Sequence, residues 1–247
     1  MMRKFLVSCS AALALAACPA HAHIARLGAA AIETVNEQLS DHGGGERLVE
    51  STALTENESP EVGAIAAFGP FRVIDTARAA LVRETDSASP AAFKAMLEAY
   101  PGIRTIEFVE CPGTLDDVAN LQLGRMIRAR GLDTDVPDGG SVRSGAVELF
   151  LAGLHRRADD DADFAVHSWR DDTGRQPSDV PAADPVNRTY IAYYRQMGLS
   201  AERAEAFYAL TNSVPNEHHP QAANHLNAFL NPRHQHRAHR KTSAHKA

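Results

Sequence analysis

Hydrophobic and polar positions along the chain change period several times, and each change predicts an element. Positions 68–74 read as a strand, and 103–110 (IRTIEFVE) as a better one, with β-branched and aromatic residues and alternating apolar sites. Between them, 89–100 repeats at helical spacing, with Pro90 suited to a first helical turn. The stretch after Thr114 places Leu115, Val118, Leu121, Leu123, Met126 and Ile127 along one broad side. Acidic residues open it, arginines end it and Gly131 stops it, all as the helix dipole and capping rules prefer. A short strand is expected at 132–136, a turn at 138–141, a helix at 144–154 and a strand at 164–168. A polar loop at 171–185 and helices at 186–197 and 200–211 follow. From Val62 onward strand, helix, strand, helix, strand, helix, strand is the order. That order predicts an α/β fold of mainly parallel strands joined by right-handed crossovers, followed by C-terminal helices.

The ends of the chain follow other patterns. Arg3 and Lys4, the apolar run 5–17 and Ala20-His21-Ala22 make an N-terminal targeting signal over residues 1–22, which predicts export to a periplasmic compartment. Leu15-Ala16-Ala17-Cys18 offers a competing reading, a lipobox with a lipid anchor at Cys18. No later segment is apolar for about twenty residues, so no transmembrane span is expected. Residues 23–61 read as a leader or linker, helical around 25–39. An α/β domain is expected over 62–230, and 231–247 is a basic, His-rich, disordered tail.

Charge and composition narrow the function classes. The chain is 44% hydrophobic and 23% charged, as globular proteins are. Loss of Arg3 and Lys4 with the signal takes the formal charge from −6 to −8, which argues against nucleic acid as a partner. Cys111 then stands alone, without an intrachain disulfide partner. The tail histidines lack metal-ligand spacing, so neither a metal nor another cofactor is expected.

The candidate chemistry lies where strand patterns give way to helical ones. Ser144 stands between a glycine-rich turn and an apolar helical pattern, and His167 ends the apolar run 164–167. A serine at a helix start is most often a cap. Paired with a histidine at a strand end it can instead be a nucleophile with its base, the helix N–H groups holding an oxyanion. Three segments end in this way, at Gly113, Ser144 and His167, and neighbouring strands would bring them to one cleft. Val142 and Ala146 stand where an α/β-hydrolase elbow needs glycines, so that elbow is excluded at Ser144. Cys111 reads as a small apolar strand-end residue rather than a nucleophile.

The arrangement resembles the Clp protease proteolytic subunit and its relatives in the Clp/crotonase superfamily. Cys111-Pro112-Gly113-Thr114 stands where the family has Ser-Pro-Gly-Gly. Thr134-Asp135-Val136 leads to Ser144-Gly145-Ala146 and then Leu151-Ala152-Gly153, and Val166-His167 matches the family's hydrophobic-His element. The resemblance implies Ser144 as nucleophile, His167 as general base and acid, and an oxyanion hole from Gly113, Thr114 and Gly145. It also implies a peptide or small ester or amide substrate and a homo-oligomer. The family's aspartate has no counterpart here. Asn212 is the closest positional match, Asn216 and Glu217 are alternatives, and Asp171 and Asp172 lie nearer His167 in sequence. The expectation is an exported serine peptidase that works without ATP. The rivals are a weak or inactive Clp-fold binding protein of the cell envelope, and a crotonase-like enzyme acting on a thioester.

Overall fold

A computed structural model describes residues 63–216 and the backbone of the strand Arg47–Leu48. The signal, the rest of the leader, Glu217 and the basic tail lie outside the described residues. Strands are numbered in chain order: β1 Arg47–Leu48, β2 Ala66–Phe68, β3 Phe71–Val73, β4 Arg78–Leu81, β5 Thr105–Phe108, β6 Glu110–Cys111, β7 Gly113–Thr114, β8 Asp133–Val136, β9 Ser141–Arg143, β10 Arg156–Ala158 and β11 Asp163–Ala165. The helices are α1 Ser89–Ala99, α2 Asp117–Ala129, α3 Ala146–Leu151, α4 Pro185–Gln196 and α5 Ala201–Asn212, with a single 3₁₀ turn at Pro177–Asp179.

The fold is α/β; its described residues form two larger sheets and the two-stranded antiparallel pair β1–β7. The larger runs β10-β8-β5-β4-β3-β2, parallel from β10 to β4 and antiparallel from β4 through β3 to β2. The smaller runs β11-β9-β6 and is wholly parallel. Three stretches of chain leave the large sheet and continue into the small one: β5 into β6, β8 into β9, and β10 into β11. Helices α2 and α3 are the crossovers that return the chain to the large sheet.

Several expectations are corrected in detail. The strand at 68–74 is a tight hairpin, because Gly69 takes a φ of 54° and turns the chain between β2 and β3. The helix expected from Ser144 is preceded by β9 and runs only over Ala146–Leu151. Helices α1, α2, α4 and α5 fall where the apolar spacing placed them, and Asp116, Asp184 and Ser200 cap α2, α4 and α5 with side-chain oxygens.

The core takes in both larger sheets and the helices, with Ile106, Phe108, Leu121, Phe150 and Phe164 among its buried members. Helix α4 binds α2 and α3 together through tyrosines. Tyr190 donates to Asp117 Oδ2 at 2.6 Å, Tyr193 to the Glu148 carbonyl at 2.7 Å, and Tyr194 to Glu148 Oε1 at 2.7 Å. Buried hydroxyls with partners fix one helix register where apolar contacts alone would tolerate sliding. Because α3 follows directly on Ser144, this packing also holds the segment that presents it. Among the described residues no helix is long and apolar enough to cross a membrane.

Candidate active site

The small sheet brings the three predicted strand ends side by side. In it β9 is the middle strand, with Val142 opposite both Cys111 of β6 and Phe164 of β11. All three strands run the same way, so their carboxyl ends lead into Gly113, Ser144 and His167 on one edge. The Ser144 N–H donates to the Ala165 carbonyl at 2.7 Å, which carries the β9–β11 pairing one residue past the strand and up to the histidine segment.

Ser144 has a φ of 52°, and no other non-glycine among the described residues has a positive φ. A side chain in this left-handed region costs about 1–2 kcal/mol, and such strain persists where the surroundings over-determine it. The residue is fully buried, and its Oγ makes no hydrogen bond among the described residues. It is therefore not the helix cap that its sequence context suggested. Gly145 takes the position before α3, with φ −58° and ψ −19°.

Gly145 and Thr114 are in direct contact. A Cβ built on Gly145 would lie 2.6 Å from Thr114 Cγ2 and 3.2 Å from its Cβ, so only glycine fits against this threonine. The Thr114 hydroxyl turns the other way. It donates to the Thr85 or Asp116 carbonyl, at 3.2 and 3.1 Å, and accepts from the Asp116 N–H. Gly113 beside it has a φ of 138°, open to glycine and hostile to a side chain. The turn proposed from sequence to hold an oxyanion thus lies against the residue following Ser144.

Two residues that the sequence reading did not single out hold this turn. Asn120 Nδ2 donates to the Gly145 carbonyl at 2.7 Å, and Asn120 Oδ1 accepts from the Thr85 hydroxyl at 2.9 Å. The Thr85 backbone in turn pairs with Gly113 and Leu115. Asn120 and Thr85 are each 1% exposed. An asparagine beside Leu121 on the inward side of an amphipathic helix was the signal for this link, since a buried amide has to find partners.

His167 is 1% exposed, and its Nδ1 lies 2.8 Å from the Ser168 carbonyl and 3.0 Å from Asn216 Nδ2. Nδ1 can donate to the carbonyl or accept from the amide, not both. When it donates, the lone pair rests on Nε2, the tautomer a base requires. Asn216 also donates to the Ser168 carbonyl at 3.0 Å. It is held by backbone and side-chain bonds: Ser168 N–H to the Val214 carbonyl at 2.8 Å, and Asn216 N–H to Gln176 Oε1 at 3.0 Å.

Asn212, the closest positional match for a third member, ends α5, and its Oδ1 makes no hydrogen bond among the described residues. Asn216 stands beside the imidazole in its place. Asp171 is committed elsewhere, accepting from Thr173 and Arg175. Burial works to raise its carboxyl, but these bonds outweigh it and hold the group below the usual carboxylate range. Cys111 is fully buried with Sγ on the Leu81 carbonyl, and burial pushes its thiol up, away from a reactive thiolate. Among the described residues no group of His, Cys, Asp and Glu is arranged to hold a metal ion.

Comparison with known proteins adds little to this geometry. No protein-family model matches the chain, and no curated protein matches it. Among solved structures it is similar to a mutant of 1510-N, a membrane-bound stomatin-specific protease, in complex with a substrate peptide. That likeness has a TM-score of 0.37 and 18% sequence identity, and it covers 53% of this chain and 63% of that chain.

Proposed function

We propose that this chain is an exported serine hydrolase, a peptidase acting without ATP, built on a Clp/crotonase-type core. One observation carries the reading: the carboxyl ends of three neighbouring parallel strands lead into Gly113, Ser144 and His167. The chain's repeated passage from the large sheet into the small one agrees with such a core, as do the residues quoted for the resemblance. The targeting signal at 1–22 motivates export, and the family resemblance alone motivates a homo-oligomer.

In the mechanism, Ser144 Oγ attacks a peptide or ester carbonyl while its proton passes to His167 Nε2. The N–H groups of Gly145 and of the Gly113-Thr114 turn take the oxyanion. Each such donor is worth about 10²–10³ in rate. His167 then gives its proton to the leaving amine or alcohol, and water, deprotonated by the same imidazole, releases the acyl group. The Ser168 carbonyl orients Nδ1–H, with Asn216 steadying that carbonyl.

A second reading has a specific observation behind it. Among the described residues an amide and a carbonyl face Nδ1, and a carbonyl stabilises an imidazolium less than a carboxylate does. This favours a slow enzyme, or a binding protein of the cell envelope on the same fold. Turnover of a panel of peptides and p-nitrophenyl esters separates the two. The peptidase reading expects hydrolysis that Ser144→Ala abolishes; equal turnover by wild type and variant sinks it, and no turnover favours the binding protein.

A further inference from the structure

β7 has two sides, and they are used differently. On one side Gly113 O accepts from Thr85 N at 3.1 Å and Leu115 N donates to Thr85 O at 2.8 Å. Backbone polar groups alternate along a strand, so the Thr114 N–H and C=O face the opposite side. On that side lies β1, antiparallel, with Arg47 opposite Thr114 and Leu48 opposite Gly113. A segment that the sequence marks as leader is therefore paired with the turn that stands beside Ser144.

We propose that β7 is a docking edge for an extended peptide backbone, and that this chain's own residues Arg47–Leu48 occupy it and close the site to substrate. The inference rests on the peptidase reading for its consequence, but not for the docking itself.

Three observations converge on it. The strand pairs with Thr114 and Gly113, the turn proposed to hold the oxyanion. Thr114 also packs through its side chain on Gly145, the residue after Ser144, so this pairing is made by the turn that flanks the nucleophile. Ser144 and His167 are 0% and 1% exposed, so a substrate can reach them only after something moves aside. A two-residue strand is a weak clasp in isolation. Tethered to the same chain, it competes at the high effective concentration of an intramolecular partner, and a substrate strand can displace it.

The test uses the full chain and its Arg47→Pro variant, in which proline removes the N–H opposite Thr114 and bars strand pairing. Hydrogen exchange across 113–114 is measured beside the rate of labelling by a fluorophosphonate probe. The variant is expected to exchange faster at 113–114 and to label about tenfold faster, the gain when a strap seated nine-tenths of the time is removed. A synthetic peptide with the sequence of residues 43–53 should restore both values, and the same peptide carrying the proline should restore neither. Unchanged exchange at 113–114 overturns the docking, and changed exchange with unchanged labelling overturns the closure. If neither protein labels, the activated-serine reading fails, and exchange with the two peptides still decides whether β1 docks.

Discussion

The two larger sheets of this molecule share the same strands' continuations and differ in what their ends do. In the large sheet the carboxyl ends of β5, β8 and β10 lead, directly or through four-residue turns, into the strands of the small sheet. Its strands bury apolar residues such as Ile106 and Phe108. The small sheet is shorter, and its carboxyl ends carry a serine at φ 52°, a glycine at φ 138° and a buried histidine. Both sheets feed the apolar core, Ile106 and Phe108 from the large one and Val142 and Phe164 from the small one, but the small sheet's ends also hold backbone strain and buried polar groups. The lesson is that burial alone does not mark the core: Ser144 is as buried as Ile106, and only its backbone and hydrogen bonding tell them apart.

Substitutions in the two sheets should therefore separate rate from stability. The largest effect is expected at His167. His167→Ala should reduce probe labelling or hydrolysis by about 10⁴-fold or more, as loss of a catalytic base does, with little change in the unfolding midpoint. Ile106→Ala in the large sheet should do the reverse, lowering stability by about 2–5 kcal/mol in urea unfolding while the folded fraction keeps its labelling rate. A rate loss at Ile106 matching that at His167 would erase the distinction.

A smaller effect is expected at Asn216, which acts on His167 through one amide. Asn216→Ala should slow labelling about fivefold, the equivalent of one net hydrogen bond of about 1 kcal/mol. As a positioning residue it should move the pH profile of labelling as well as its amplitude, because the amide competes for Nδ1. The smallest effect concerns the loop after His167. Asp171 is held low, so its contribution is present above the ordinary carboxylate pKa and is lost as pH falls through its folded value. Asp171→Asn should accordingly flatten the acid limb of a urea-midpoint-against-pH curve and leave labelling at neutral pH unaltered.

The helices were legible because eleven to thirteen residues give a period time to declare itself, as Leu121, Leu123 and Ile127 do on α2. Of the small sheet only β11 was legible, because β6 and β9, two and three residues long, have no period to read. Gly113, Ser144 and His167 could be named from strand-end chemistry, but the left-handed backbone of Ser144 could not. A glycine-rich turn before an apolar run looks like a helix start whether or not a strand intervenes. Asn216 was one of several alternatives because spacing along the chain pointed to Asn212. What places it is the long-range pairing of Ser168 with Val214, which no local pattern encodes.

The central claim is that Ser144 is a strained nucleophile served by His167. Fluorophosphonate labelling with peptide mapping, run beside urea unfolding of Ser144→Gly, tests it most directly. The account predicts a single adduct on Ser144 that His167→Ala suppresses. It also predicts a Ser144→Gly protein that takes no adduct and is about 1 kcal/mol more stable, since glycine relieves the positive φ and removes the buried hydroxyl. No adduct on the wild type, or an adduct indifferent to His167 with Ser144→Gly less stable, would contradict it.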